Sequence, residues 1–365
     1  MANKKILVVV GTRPNFIKVT QFKRVAQQKN SELKIVHTGQ HFDDKMADVF
    51  FRQFNLVPDF FLNIPQNLSR EELIQTISKE LIQLMQTQFK PDLLVVVGDV
   101  NSTLAGALAG KSLNIKLAHV ESGLRSNDLT MPEEINRIET DKITDYFFVT
   151  EQSGLDNLKA DGVKSENIFF VGNTMIDTMV AFKNEIEASP VLEDLNLKSK
   201  AFVLMTMHRP ATVDSKEGLD KLLQILKEVN KTYKILFPVH PRTTKNIELH
   251  GLKKDFESLS GLIFTPPLDY FAFQKLIKHS KFILTDSGGI QEESTFVQIP
   301  CLTLRPNTER PVTCTIGTNT LIPFDVQVVL EYINTIEKGT YKKGDIPPLW
   351  DGKATERIFE AISKL

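Results

Sequence analysis

The sequence predicts an α/β protein made of two doubly wound parallel-sheet domains, and three observations carry that expectation. Short apolar runs of strand length alternate with amphipathic, helix-length stretches along the whole chain, the pattern of parallel sheets covered by helices on both faces. The runs are apolar throughout rather than at every second residue, as strands buried on both sides require. At 365 residues and 41% hydrophobic content, the chain exceeds the size at which one core usually keeps growing.

The first run, ILVVVGT (6–12), is short and leads into Arg-Pro with no small-residue cleavage site, so it reads as a buried strand and not a signal peptide. LKIVHTG (33–39) follows as the second. The stretch SREELIQTISKELIQLMQTQF (69–89) is the clearest helix: Ser69 and Glu72 match a capping box, and Leu73, Ile77, Leu81 and Leu84 share a stripe. LLVVVGD (93–99), IKLAHVE (115–121) and DYFFVTE (145–151) complete the first set of strands. The second half repeats the logic with FVLMTMH (202–208), YKILFPVH (233–240), LIFTPP (262–267), KFILTDSGG (281–289) and PCLTL (300–304). Between the halves SPVLEDLNLKSK (189–200) is polar with weak periodicity and reads as a linker. The expected organisation is an N-terminal Rossmann-like domain over 1–188, a C-terminal Rossmann-like domain over 189–350, and a closing helix over 351–365 that returns to the first domain.

Composition excludes several function classes. Forty-four basic residues balance 45 acidic ones for a net charge of -1, which leaves no electrostatic footprint for nucleic acid or an anionic membrane. Any bound anion must therefore be held locally. Two cysteines, Cys301 and Cys314, point to a reducing compartment. No run is long enough to span a bilayer, so a cytoplasmic protein is expected. His37 and His41 in HTGQH lie four apart but straddle a strand end and a glycine, so no metal site is expected there. The chain has neither the three-glycine dinucleotide fingerprint nor a Walker-type loop, which removes nicotinamide and P-loop chemistry. No cofactor is expected.

In open parallel sheets functional groups collect beyond the carboxyl ends of the strands. Arg13, Asp99, Glu121, His208, His240 and the segment Asp286 to Gly289 all follow strand-like runs. A helix N-terminus offers backbone N–H groups and partial positive charge, and glycine lets an anion approach that backbone. Ser287, Gly288 and Gly289 fit a phosphate there, with Glu293 one helical turn on in reach of a ribose. Ser-Gly-Gly alone fits a simple tight turn equally well. Asp99 fits a helix cap, and Glu133 fits an acid that favours a helix N-terminus, with Arg137 as its partner.

Ten ordered blocks give the sequence a family likeness: GTRPNFIK (11–18), TGQH (38–41), GDVNSTLAGALA (98–109), HVESGLRS (119–126), MPEEINR (131–137), GNTMIDT (172–178), MHRP (207–210), PVHPR (238–242), TDSGGIQEE (285–293) and TERP (308–311). Over nearly its whole length the chain resembles the non-hydrolysing UDP-N-acetylglucosamine 2-epimerases, whose fold is similar to the glycosyltransferase B architecture of two Rossmann-like domains facing a cleft. The resemblance implies elimination of UDP to a 2-acetamidoglucal, followed by re-addition after protonation on the other face, in the supply of cell-surface polysaccharide precursors. It implies that Asp99, Glu121 and Glu133 are the acid and base groups, that His208 and Arg13 stabilise the departing diphosphate, and that Lys18, His240, Ser287, Gly288, Gly289, Glu293 and Arg310 bind the nucleotide. Two nearby carboxylates raise each other's proton affinity, which suits one of them to act as an acid. The resemblance also implies a UDP-sugar substrate and a homodimer.

The chain departs from the common bacterial pattern. It has QHFDDKMAD where many members read QHRxxLDQ, HRPATVD where they read HRREN, and a shorter stretch between GLR and PEE. These departures resemble a branch acting on modified sugars such as UDP-2,3-diacetamido-glucuronate. They also place Phe42, Asp43, Asp44, Ala47 and Pro210 where many bacterial relatives bind a second, activating UDP-sugar. An acidic pair repels a diphosphate and proline lacks an N–H donor, so that site is expected to be missing. A glycosyltransferase of the same architecture is the rival reading; it needs the diphosphate-binding helix but not all three carboxylates.

Overall fold

The computed structural model describes residues 4–39 and 51–365. His41, Phe42, Asp43, Asp44 and Ala47 lie outside the described residues. The chain forms two compact units, one comprising the chain up to Ala181 together with Pro348–Leu365, the other Phe182–Pro347.

In the first unit the strands are β1 (Lys5–Val10), β2 (Glu32–His37), β3 (Phe60–Phe61), β4 (Leu93–Val97), β5 (Lys116–Val120), β6 (Tyr146–Val149) and β7 (Ile168–Phe170). They lie in the order β3-β2-β1-β4-β5-β6-β7, and every pairing is parallel. The chain starts in the middle at β1, builds outward to β3, then crosses back to β4 on the other side of β1. Strand order therefore reverses between β1 and β4, the kind of switch point beside which open parallel sheets place their ligands.

The second unit repeats this with β8 (Phe202–Thr206), β9 (Lys234–Pro238), β10 (Leu262–Thr265), β11 (Phe282–Thr285), β12 (Cys301–Leu304) and β13 (Asn319–Ile322). The order is β10-β9-β8-β11-β12-β13, again all parallel. Its switch point falls between β8 and β11. Alternation along β8 shows why the runs read as continuously apolar. Val203 and Met205 enter a core with Leu222 and Leu226 on one face, while Phe202 and Leu204 enter a second core with Leu276 and Ile277 on the other.

Helix Arg70–Thr87 begins with the expected capping box: Ser69 Oγ accepts from Glu72 N–H at 3.3 Å, and the Glu72 carboxylate accepts from Ser69 N–H at 2.9 Å. Its buried stripe is Ile74, Ile77, Leu81, Leu84 and Met85, with Leu73 partly buried at the margin.

The segment 189–200 differs from the linker expected of it. Helix Val191–Asp194 lies within it, and Val191, Leu192 and Leu197 are buried in a second-unit core. Helix Lys183–Ala188 docks on the same unit through Lys275, whose Nζ donates to the carbonyls of Glu187 (3.0 Å) and Ser189 (2.5 Å), and through Phe182 stacked 5.5 Å from Phe271. The unit boundary therefore falls between 181 and 182.

Residues 348–365 are tied to the first unit. Trp350 is buried and donates from Nε1 to the Thr150 carbonyl at 3.0 Å. The Asp177 carboxylate accepts from the N–H groups of Ala354 (3.0 Å) and Thr355 (2.6 Å) at the start of helix Ala354–Ile362. Gly172, with φ 89°, lets the chain pass, because a Cβ there would lie 2.1 Å from the Leu349 carbonyl oxygen.

Candidate active site

At the first switch point β1, β4 and β5 end together. Thr12 to Lys18 follow β1, and helix Arg13–Ile17 leaves Arg13 exposed and buries Asn15. Asn15 stitches the strand ends, accepting from Thr12 Oγ1 at 3.0 Å and donating to the Val97 carbonyl at 3.1 Å. Gly98 then turns with φ 69°. A Cβ at that position would lie 3.0 Å from Asn15 Nδ2, 3.3 Å from Glu121 Oε2 and 3.5 Å from Lys18 Nζ, so three functional groups crowd one glycine. Glu121, just past β5, holds φ 68°, unusual for a residue with a side chain. Its carboxylate pairs with Lys18, and both side chains are buried.

Asp99 sits beside this pair along the chain. Its carboxylate accepts from Arg137, a fully buried guanidinium that also pairs with Glu134. Glu134 in turn accepts from the backbone N–H groups of Ser126 (3.0 Å) and Asn127 (2.9 Å), and Asn136 donates to the Asp99 carbonyl at 2.9 Å. Arg137 thus takes Asp99 and Glu134 as partners, in place of the Glu133 partnership expected from sequence. Glu133 is exposed in the first turn of helix Pro132–Ile143. Adjacent helical residues point about 100° apart, so one of the two acids is buried and the other is not.

At the second switch point β8 and β11 run side by side, Thr206 opposite Thr285, with their hydroxyl oxygens 2.7 Å apart. Asp286 follows β11 and is fully buried. Its carboxylate accepts from the backbone N–H of His208 (3.0 Å) and Arg209 (2.9 Å), and it pairs with His208 Nδ1 at 3.1 Å. Burial pushes the Asp286 carboxyl upward in pKa, but the His208 bond, the His208 charge and the two backbone donors outweigh it and leave it below the usual value. Anchored at Nδ1, the His208 ring leaves Nε2 for a ligand. The His240 ring lies 5.8 Å from that of His208, and His240 Nδ1 accepts from Arg242 N–H at 3.2 Å.

Gly288 caps helix Gly289–Phe296. Ser287 donates its N–H to Thr285 Oγ1 at 2.9 Å, which leaves its hydroxyl as the group to offer a ligand. A Cβ on Gly288 would lie 2.6 Å from Glu309 Oε1 and 3.3 Å from Arg310 Nη1. Arg310 is buried between Glu292 (2.7 Å) and Glu309 (2.6 Å), and Glu309 also accepts from Arg305 at 3.1 Å. Two cations and two anions thus balance behind the turn. Glu293 is buried and accepts from Gln274 Nε2 at 2.5 Å.

A family model described as UDP-N-acetylglucosamine 2-epimerase matches residues 23–363. The chain belongs to the UDP-N-acetylglucosamine 2-epimerase family. Among its relatives, a UDP-N-acetylglucosamine 2-epimerase of Methanocaldococcus jannaschii is 37% identical over 98% of this chain and 99% of its own. A UDP-2,3-diacetamido-2,3-dideoxy-D-glucuronate 2-epimerase of Pseudomonas aeruginosa is 36% identical over 99% and 100%. The crystal structure of the M. jannaschii UDP-GlcNAc 2-epimerase in complex with UDP-GlcNAc and UDP superposes with a TM-score of 0.90, at 35% identity, covering 99% of this chain and 100% of that one. Membership makes the chain an isomerase of the glycosyltransferase B-like fold, and the contacts above single out two carboxylates that sequence reasoning passed over or left without a role. Glu134 was hidden beside Glu133. Asp286 stood at a strand end without a partner, and only the pairing of β8 with β11 brings it to His208.

Proposed function

We propose that the chain interconverts UDP-N-acetylglucosamine and UDP-N-acetylmannosamine without hydrolysis. A carboxylate takes the proton from C2 as the bond from C1 to the diphosphate oxygen breaks, and that bond's electrons leave with UDP to give a 2-acetamidoglucal. A carboxylic acid returns a proton to the opposite face of C2, and the diphosphate oxygen adds back to C1. Asp99, Glu121 and Glu133 are the acid and base groups. His208 and Arg13 meet the charge of the departing diphosphate, and Lys18, His240, Ser287, Gly288, Gly289, Glu293 and Arg310 bind the nucleotide.

The observation that carries this reading is the convergence of Lys18, Glu121 and Gly98–Asp99 at a switch point. A buried carboxylate fixed by an ammonium beside the turn is held in one position, as a proton transfer to or from C2 requires. Incubation with either epimer in deuterated water tests it: one solvent deuterium at C2 of the product, with traces of UDP and the glycal, is expected. Product that fully retains the C2 hydrogen overturns it.

A modified 2-acetamido UDP-sugar is the second reading, supported by the 36% identity to the diacetamido-glucuronate enzyme and by the HRPATVD and QHFDDKMAD departures. A kcat/KM for that substrate above the value for UDP-N-acetylglucosamine would decide for it. We also infer a cytoplasmic homodimer. The two cysteines are free, and no helix among the described residues is long and apolar enough to cross a membrane.

A further inference from the structure

We propose that His119 and Asp141 are positioning residues for the acid–base groups, joined as a buried strut in which the histidine ring carries hydrogen on both nitrogens. His119 lies on β5, two residues before Glu121, in register with Val96 of β4 and Phe147 of β6. Its side chain is fully buried. Nε2 lies 2.7 Å from the Gly98 carbonyl oxygen, and Nδ1 lies 2.7 Å from Oδ1 of Asp141 in helix Pro132–Ile143.

A backbone carbonyl can only accept, so Nε2 donates. Oδ2 of Asp141 accepts from the Arg125 guanidinium and from Gly123 N–H, and both donors favour the ionised carboxylate whatever the state of the histidine ring. An ionised carboxylate also only accepts, so Nδ1 donates as well. A neutral ring would set one bare nitrogen against an acceptor in a dry site, at the cost of an unsatisfied buried group.

The far side of Asp141 ties down a second turn. Its Oδ2 accepts from Gly123 N–H at 3.0 Å and from Arg125 Nη1 at 2.7 Å, and Arg125 reaches Asp161 at 3.0 Å. One end of the strut therefore grips the carbonyl immediately before Asp99, and the other grips the turn immediately after Glu121. The Lys18–Glu121 pair stands against Gly98 from the end of helix Arg13–Ile17 and the turn after β5. A shift of either end moves the two carboxylates relative to each other. The inference rests on the reading of Asp99 and Glu121 as acid and base groups.

Labelling the histidine side chains of the intact wild-type enzyme with 15N, and assigning His119 through the backbone of β5, reads the ring directly. Hydrogen on both ring nitrogens at the pH of the activity assay is expected; a bare nitrogen there overturns the strut. Asp141→Asn keeps the shape and removes the charge. It should lower kcat on the order of 100-fold, leave KM within about threefold, and convert the His119 spectrum to a singly protonated ring, with a melting curve to verify folding. A kcat within twofold of wild type in a folded Asp141→Asn overturns the positioning role, and if that variant does not fold, the wild-type spectrum still decides. Deuterium incorporation by the same wild-type sample reports separately on the acid–base reading, so a failure there is told apart from a failure of the strut.

Discussion

Glu121 holds a left-handed backbone that costs roughly 1–2 kcal/mol for a residue with a Cβ, and that conformation turns its carboxylate onto Lys18. Glu121→Gln keeps the shape and removes proton transfer, so turnover should fall about 100-fold or more while calorimetry still detects UDP binding. Near-normal turnover would reassign the residue to structure. His37 offers a test on stability instead. Its Nδ1 accepts from Gly39 N–H at 3.0 Å, and burial lowers its pKa from 6.5 to about 4. The depressed folded value means that the neutral ring is favoured by folding: the contribution is complete above pH 6.5 and drains away as pH falls toward 4. Urea unfolding should show the wild type losing about 2 kcal/mol more than His37→Gln between pH 7.5 and 5, since glutamine accepts the same bond without titrating. Equal losses would remove His37 from the acid sensitivity. The placement of Asp99, Glu121 and His208 just past strand ends was legible in the sequence because each follows an apolar run. The burial of Glu134 was not, because helical phase against the sheet, and not residue type, decides which of two adjacent acids points inward.

Strand ends and the turns after them set the site's geometry, and Gly98 is where that is most sensitive. Alanine there must take up φ 69° and bring a Cβ within 3.0 Å of Asn15 Nδ2. Gly98→Ala should cost about 1–2 kcal/mol in a melting experiment and reduce initial rates by more than about tenfold; a stable variant with wild-type rates would show that the crowding at this turn is slack. The ten long apolar runs and the Ser69 capping box were readable because period and length separate them from helices and loops. β3 and β7 were not, since strands of two and three residues carry too few side chains to show a pattern, and β13, NTLI, has only its two end residues buried. The segment 189–200 misled for a related reason: the four-residue helix Val191–Asp194 is shorter than any window in which helical periodicity registers.

For the molecule as a whole, two units were legible from length and from the repeated strand–helix logic, whereas the boundary at 181/182 depends on docking contacts made by residues 86 and more positions away, such as Lys275 with Glu187 and Ser189. Regulation belongs at this scale too. Pro210 begins the short helix Pro210–Val213 and has no N–H to give, so the reverse reaction should run on the manno-type substrate alone with hyperbolic rate curves. A requirement for added gluco-type substrate before the reverse reaction starts would show that an activating site is present. The discontinuity of the first unit also has a bearing on how the chain is made. Its sheet is finished at β7, yet Trp350 and the helix that Asp177 caps are synthesised only after all of Phe182–Pro347. At about 5–20 residues per second, a nascent first unit waits on the order of ten seconds with the seat for Trp350 empty and the Asp177 carboxylate without its two backbone donors. Pulse proteolysis of ribosome-bound chains should therefore find the first unit cleaved throughout that interval, and protected only once Trp350 and the closing helix are free to dock.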